Sequence, residues 1–150
     1  GEEFGYKFES HQFNRSGTGT GILAGGHLSI LVAVLGSVSD YDYNSKVLFI
    51  EDVGEYLYSV DRMVRTLDRA GKLKNLAGLI VGGFTELKDN DIPFGQTVPE
   101  IVMEVVKNYN YPVCFDFPAG HIPDNQSLIF GKTLALSVHE KQAEAFYALS

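Results

Sequence analysis

Three short stretches of this chain are almost continuously apolar and rich in residues that favour strands: Lys46-Val47-Leu48-Phe49-Ile50-Glu51, Ala77-Gly78-Leu79-Ile80-Val81-Gly82-Gly83-Phe84 and Pro112-Val113-Cys114-Phe115-Asp116. Hydrophobicity without alternation is the mark of a strand covered on both faces. Between the first two, Tyr56, Val60, Met63, Val64 and Leu67 recur at helical spacing. Acids cluster near the beginning of that stretch and Gly71 supplies a stop, which predicts a helix over 55–70. After the second run, a polar loop from Thr85 to Gln96 leads into a predicted helix over about Val98 to Asn108. Upstream, Gly19 to Gly26 reads as a short strand closing in a tight glycine turn, and His27 to Leu35 as an apolar helix ended by Gly36. Near the end, Ser127-Leu128-Ile129-Phe130, a Gly131-Lys132 turn and Thr133 to Val138 read as a hairpin, with a weakly helical tail from His139. The order predicts a mixed α/β domain with a C-terminal hairpin.

Composition narrows the class. A chain of 150 residues with 45% hydrophobic content fills one core. A formal net charge of −7 argues against a nucleic-acid partner, which requires clustered Lys and Arg. Cys114, flanked by Val113 and Phe115, reads as a buried core thiol with no cysteine to pair with, which points to a reducing, cytoplasmic compartment. No apolar run reaches the roughly 18–20 residues of a membrane helix, so no membrane partner is expected. The start, Gly1-Glu2-Glu3-Phe4, lacks the basic and apolar regions of a signal peptide. Residues 1–16, polar and turn-prone from Glu9 onward, read as an interdomain linker or as residues added at the N-terminus, and residues 17–150 as one domain of a longer protein.

Chemistry concentrates in two segments about 70 residues apart, Phe49-Ile50-Glu51-Asp52 and Pro118-Ala119-Gly120-His121. A carboxylate ending a buried strand and a histidine on a Gly-containing loop stiffened by Pro118 and Pro123 are the orienter and base of a hydrolytic triad. A structural reading competes with this one, since an acid there also caps a turn and a lone histidine commonly satisfies neighbouring backbone. No Gly-x-Ser-x-Gly elbow supplies a nucleophile, and Ser29 reads as a helix cap. The glycine pairs lack the Lys-Ser or Lys-Thr of a phosphate loop. A metal site from Glu51, His121 and Asp124 lacks any recognised ligand spacing, and no cofactor is expected.

Five blocks together resemble the C-terminal domain of the LD-carboxypeptidases: Gly25-Gly26-His27-Leu28-Ser29-Ile30-Leu31, Val47 to Glu55, Tyr58 to Met63, Gly78 to Phe84, and Pro118-Ala119-Gly120-His121. This serine-peptidase family includes murein tetrapeptide carboxypeptidases and microcin-immunity peptidases. The resemblance implies a swivelling β/β/α domain and a Ser-Glu-His triad split over two domains. Glu51 is then the acid and His121 the base, and the serine stands on an N-terminal domain absent from this chain. It further implies metal-independent release of terminal D-alanine from an L-lysyl or diaminopimelyl residue of cytoplasmic muropeptides, inactivity of this portion alone, and a possible homodimer. Asp52, Glu55 and Arg62 read as structural polar residues near the site. The chain departs from the family pattern at His27, where asparagine is common, and at Ser37-Val38-Ser39, where Gly-Thr is common. The competing class is a non-catalytic ligand-binding or regulatory α/β domain.

Overall fold

The computed structural model describes residues 3–117 and 128–148. Strand β1 (Glu3–Glu9) is followed by the long β2 (Gly17–His27), helix α1 (Leu28–Ala33), β3 (Val47–Val53), α2 (Leu57–Arg69) and β4 (Gly78–Thr85). Then come α3 (Val98–Val106), β5 (Val113–Phe115), β6 (Thr133–Val138) and β7 (Gln142–Ala148). The strands form one mixed sheet in the order β1-β7-β6-β2-β3-β4-β5. From β2 to β5 the pairing is parallel, and from β2 through β6 and β7 to β1 it is antiparallel.

The sheet doubles over along β2. Residues 17–22 of that strand pair with β6, whereas residues 23–27 pair with β3. The antiparallel half then lies against one face of the parallel half, so Tyr6, Leu134, Leu136 and Tyr147 share a core with Phe49, Ile80 and Cys114. On the other face the three helices bury Leu28, Val60, Val64, Leu67, Val98 and Val102 against Leu48, Ile50, Leu79 and Phe115. Layers of strand, strand and helix are the β/β/α arrangement that the resemblance implies. The central strands are covered twice, which explains their unbroken hydrophobicity. By contrast β6 alternates, with Leu134, Leu136 and Val138 buried between more exposed neighbours, as a strand with one solvated face must.

Helix α2 ends as Gly71 predicts. At φ 77° Gly71 closes the turn, its N–H donating to the Asp68 carbonyl while the Lys72 N–H donates to Leu67, the paired bonds of a Schellman cap. Helix α3 begins with a capping box in which Thr97 and Glu100 exchange bonds with each other's backbone N–H.

Four expectations are corrected. The segment 1–16, expected as a linker, contains β1, which pairs with β7 along its length. Buried Tyr6 and half-buried Phe8 alternate with exposed Lys7 and Glu9, a period-two signal outweighed by the polar residues after it. The tail from His139, expected as weakly helical, is β7. Its helix-favouring Ala143 and Ala145 are wholly buried in a strand between β1 and β6, so tertiary pairing overrides local propensity. The C-terminal hairpin is accordingly β6–β7, and among the described residues 128–130 form no strand. Finally, Gly25 and Gly26 are not a tight turn. They continue β2 at φ 133° and 146°, and a Cβ on Gly25 would stand 1.9 Å from the Phe49 carbonyl oxygen, so β2 reaches His27 only because a glycine stands there.

Candidate functional site

The carboxyl ends of the parallel strands carry the candidate site. Glu51 is partly buried near the end of β3, with its backbone in register with His27 of β2. Its face follows from alternation. Leu48, Ile50 and Asp52 turn toward the helices, whereas Val47, Phe49 and Glu51 turn toward the antiparallel layer. A register shift between β3 and β4 falls beside Glu51 and places Gly82 there. A Cβ on Gly82 would come within 2.6 Å of the Phe49 ring and 3.6 Å of the Glu51 Cβ. The missing side chain at Gly82 is what lets the aromatic ring and the carboxylate occupy adjacent places on this face.

Asp52, next in the chain, serves structure. It is buried, with 6% exposure, and accepts hydrogen bonds from the Ser29 N–H at 2.8 Å and from its own neighbour Val53 at 2.9 Å. The carboxylate therefore caps α1 from the adjacent strand, and Ser29 is the capped residue rather than the cap. His27, at the N-cap position, makes no side-chain cap of its own. An ion-paired network joins α2 to α3 through Asp61, Arg65 and Glu104. Arg62 lies over the Tyr58 ring, 5.6 Å from its centroid, and the Glu55 carbonyl accepts from Lys88.

At the end of β5 the chain changes face. Asp116 adopts φ 58°, in the left-handed region that Asp tolerates better than most residues. That one conformation breaks the alternation, so Phe115 packs with the helices while Phe117 packs against Phe49, ring centroids 6.3 Å apart. Phe117 thus stands on the Glu51 face. His121, like Asp124, lies outside the described residues.

Cys114 is no hidden nucleophile. Burial beneath the antiparallel layer pushes its thiol up to about 12, so the reactive thiolate is not formed near neutrality. Among the described residues no three His, Cys, Asp or Glu side chains gather as a metal site, and no helix is long and apolar enough to cross a membrane. On the helix side of the same edge is a cavity of about 280 Å³, bounded by Leu57, Val81, Phe84, Val98, Phe115 and Asp116. Nothing in the hydrophobic pattern announced it, because its walls are ordinary core positions left uncovered where the strands end.

Comparison with known proteins agrees with this fold. The profile of the LD-carboxypeptidase C-terminal domain matches residues 20–136. A probable murein peptide carboxypeptidase of Bacillus subtilis is 33% identical over 131 residues, covering 85% of this chain and 40% of the relative. The murein tetrapeptide carboxypeptidase of Pseudomonas aeruginosa is 26% identical over 117 residues, covering 77% of this chain and 38% of the relative. The crystal structure of muramoyltetrapeptide carboxypeptidase from Oxalobacter formigenes superimposes with a TM-score of 0.84 at 28% identity, over 98% of this chain and 50% of that one. The chain thus spans about 40% of the length of the curated relatives it matches. By sequence and by fold it belongs to the LD-carboxypeptidase family, as that family's C-terminal domain.

Proposed function

We propose that in the intact protein this domain supplies Glu51 and His121 as the acid and base of a Ser-Glu-His triad that cleaves an L,D-peptide bond. The reaction releases the terminal D-alanine of murein tetrapeptides in the cytoplasm. The nucleophilic serine and the backbone donors for the oxyanion come from sequence outside this chain, so the 150 residues alone are inactive. The observation that carries the reading is Glu51, a carboxylate at the open carboxyl end of a central strand, on the face to which Asp116 redirects the chain that leads to His121.

His121 takes the serine proton as the hydroxyl attacks the carbonyl, then returns it to the departing amine of D-alanine. Glu51 holds the imidazole in the tautomer that presents a free nitrogen to the serine, and stabilises the imidazolium between the two transfers. The relatives named as murein peptide carboxypeptidases support the substrate class.

The test is release of D-alanine from a muropeptide tetrapeptide by the intact protein and by its Glu51→Gln and His121→Ala variants. Loss of turnover by several orders of magnitude in both is expected. Full activity in either variant removes that residue from the triad, and a wild-type protein that binds the peptide without cleaving it would instead mark a non-catalytic binding domain.

A further inference from the structure

A second recess, of about 260 Å³, opens where β2 passes from its pairing with β6 to its pairing with β3. Three of the residues that line it, Ala24, Gly25 and Gly131, carry a methyl group or no side chain, so a flat group can approach the backbone there. The two segments that bound it are tied together through Leu23, whose N–H donates to the Lys132 carbonyl and whose carbonyl accepts from the Gly131 N–H, each at 2.9 Å.

The larger side chains are rings. Tyr41 is 59% and Phe130 48% exposed, yet each rests on a buried aromatic partner. Tyr41 stacks with Tyr43, ring centroids 6.4 Å apart and planes 18° apart, and Phe130 lies 6.2 Å from Phe49. Both rings are therefore held in place before any ligand arrives, with apolar surface still in water.

Lys46 is the charged residue that lines the recess, and it is half-buried. Among the described residues no acid lines the recess, and no carboxylate or carbonyl accepts from the Lys46 ammonium. Lys72 makes the contrast, since it pairs with Asp40 at 3.1 Å and donates to the Tyr41 carbonyl. An unpaired cation beside uncovered rings and bare backbone is complementary to a flat apolar body that bears one negative charge. The volume falls just below the roughly 300–1,000 Å³ of drug-sized ligand sites, which suits one ring and a short side chain.

We propose that this recess is a binding site for a small aryl carboxylate, its ring against Tyr41 and Phe130 and its carboxylate at Lys46. The proposal is independent of the peptidase reading, since it uses neither Glu51 nor His121.

The experiment is titration calorimetry of the intact protein with hydrocinnamate, with its uncharged counterpart hydrocinnamyl alcohol, and with propionate, which lacks the ring. Hydrocinnamate should bind with a Kd of about 1 mM or below, the scale for a ligand of its few non-hydrogen atoms. Propionate should bind at least about tenfold more weakly, because no ring leaves water. The alcohol should bind about fivefold more weakly than the acid, the scale of a largely solvated charge pair, and that gap should close as salt is raised. Lys46→Met should bring the acid-to-alcohol ratio to near one while leaving the alcohol's Kd unchanged. Phe130→Ala should weaken acid and alcohol alike and keep their ratio. Absence of hydrocinnamate binding up to about 10 mM overturns the proposal, as does equal binding of acid and alcohol by the wild type. A preference for the acid that survives in Lys46→Met places the ligand elsewhere and overturns it too. The wild-type ligand series and its salt dependence need no variant to fold.

Discussion

The two edges of the parallel sheet use similar residues for opposite ends. At the amino edge, residues 15–21 run crosswise over the beginnings of β5, β4 and β3. Arg15 forms a backbone bridge with Val113, and its guanidinium donates to the carbonyls of Tyr111 and Val106, closing the end of α3. Along the same segment a Cβ on Gly19 would lie 1.9 Å from the Ala77 carbonyl oxygen, and one on Gly21 would lie 2.2 Å from that of Ser45. These glycines let backbone pass over backbone. At the carboxyl edge Gly82 leaves room instead for a ring, a carboxylate and a cavity wall, and Val53 stands 52% exposed. Among the described residues a strap covers one edge and leaves the other uncovered, and the candidate chemistry lies on the latter. The shallow groove remaining at the amino edge, among Lys74, Asn75, Asn108 and Asn110, is lined by no carboxylate and no histidine.

The largest effect that separates the edges is catalytic. Glu51→Gln in the intact protein should lower kcat about 10⁴-fold, the scale seen when a triad's acid becomes an amide. Lys74→Ala or Asn108→Ala at the opposite edge should leave kcat on the D-alanine-terminated tetrapeptide within twofold of wild type. Comparable losses at both edges would break the division of labour.

Stability should divide the other way. Gly19→Ala forces a methyl into backbone and should cost about 3 kcal/mol in urea unfolding, the upper range for overpacking. Gly83→Ala meets nothing nearer than the Thr85 methyl at 3.7 Å and should fall within about 0.5 kcal/mol of wild type. Equal costs would mean that β2 does not cross as tightly as its glycines indicate.

How much of this contrast is legible in the chain depends on what each residue had to signal. The double-covered strands announced themselves because two hydrophobic faces leave no polar alternation, and Glu51 was visible as the first charge to interrupt such a run. The Gly71 stop was visible because a helix end and a positive φ coincide there. The crosswise strap was not, since glycine spaced by two reads equally as turn or strand and only the tertiary approach of Ala77 and Ser45 distinguishes them. Asp52 was legible as structural, but its partner was not, because a cap delivered from a neighbouring strand has no fixed sequence offset. The cavity had no local signal, for its walls come from five separate segments. His121 was named from its Gly-Pro context and from the family resemblance, and its position lies outside the described residues.

Asp52→Ala sharpens the role of that neighbouring acid. It would strip the Ser29 and Val53 N–H groups of their acceptor at a buried site, for an expected loss of about 2 kcal/mol. Because Asp52 faces α1 and Glu51 the opposite layer, the loss should appear in unfolding while kcat of the folded intact enzyme stays within about tenfold of wild type, far above the Glu51→Gln value. A collapse of kcat equal to that of Glu51→Gln would mean that the two carboxylates act as one unit.

The smallest effect tests how firmly the open edge is held. Thr97 caps α3 at the rim of the cavity, its oxygen accepting the Glu100 N–H at 3.4 Å while the Glu100 carboxylate accepts the Thr97 N–H at 3.1 Å. Thr97→Ala removes one half of that exchange and should cost about 1 kcal/mol of stability, and Thr97→Ser, which keeps the hydroxyl, should recover most of it. Unchanged stability in Thr97→Ala would mean that α3 is held by its buried face, where Val102 and Val106 are fully covered, and not by the cap.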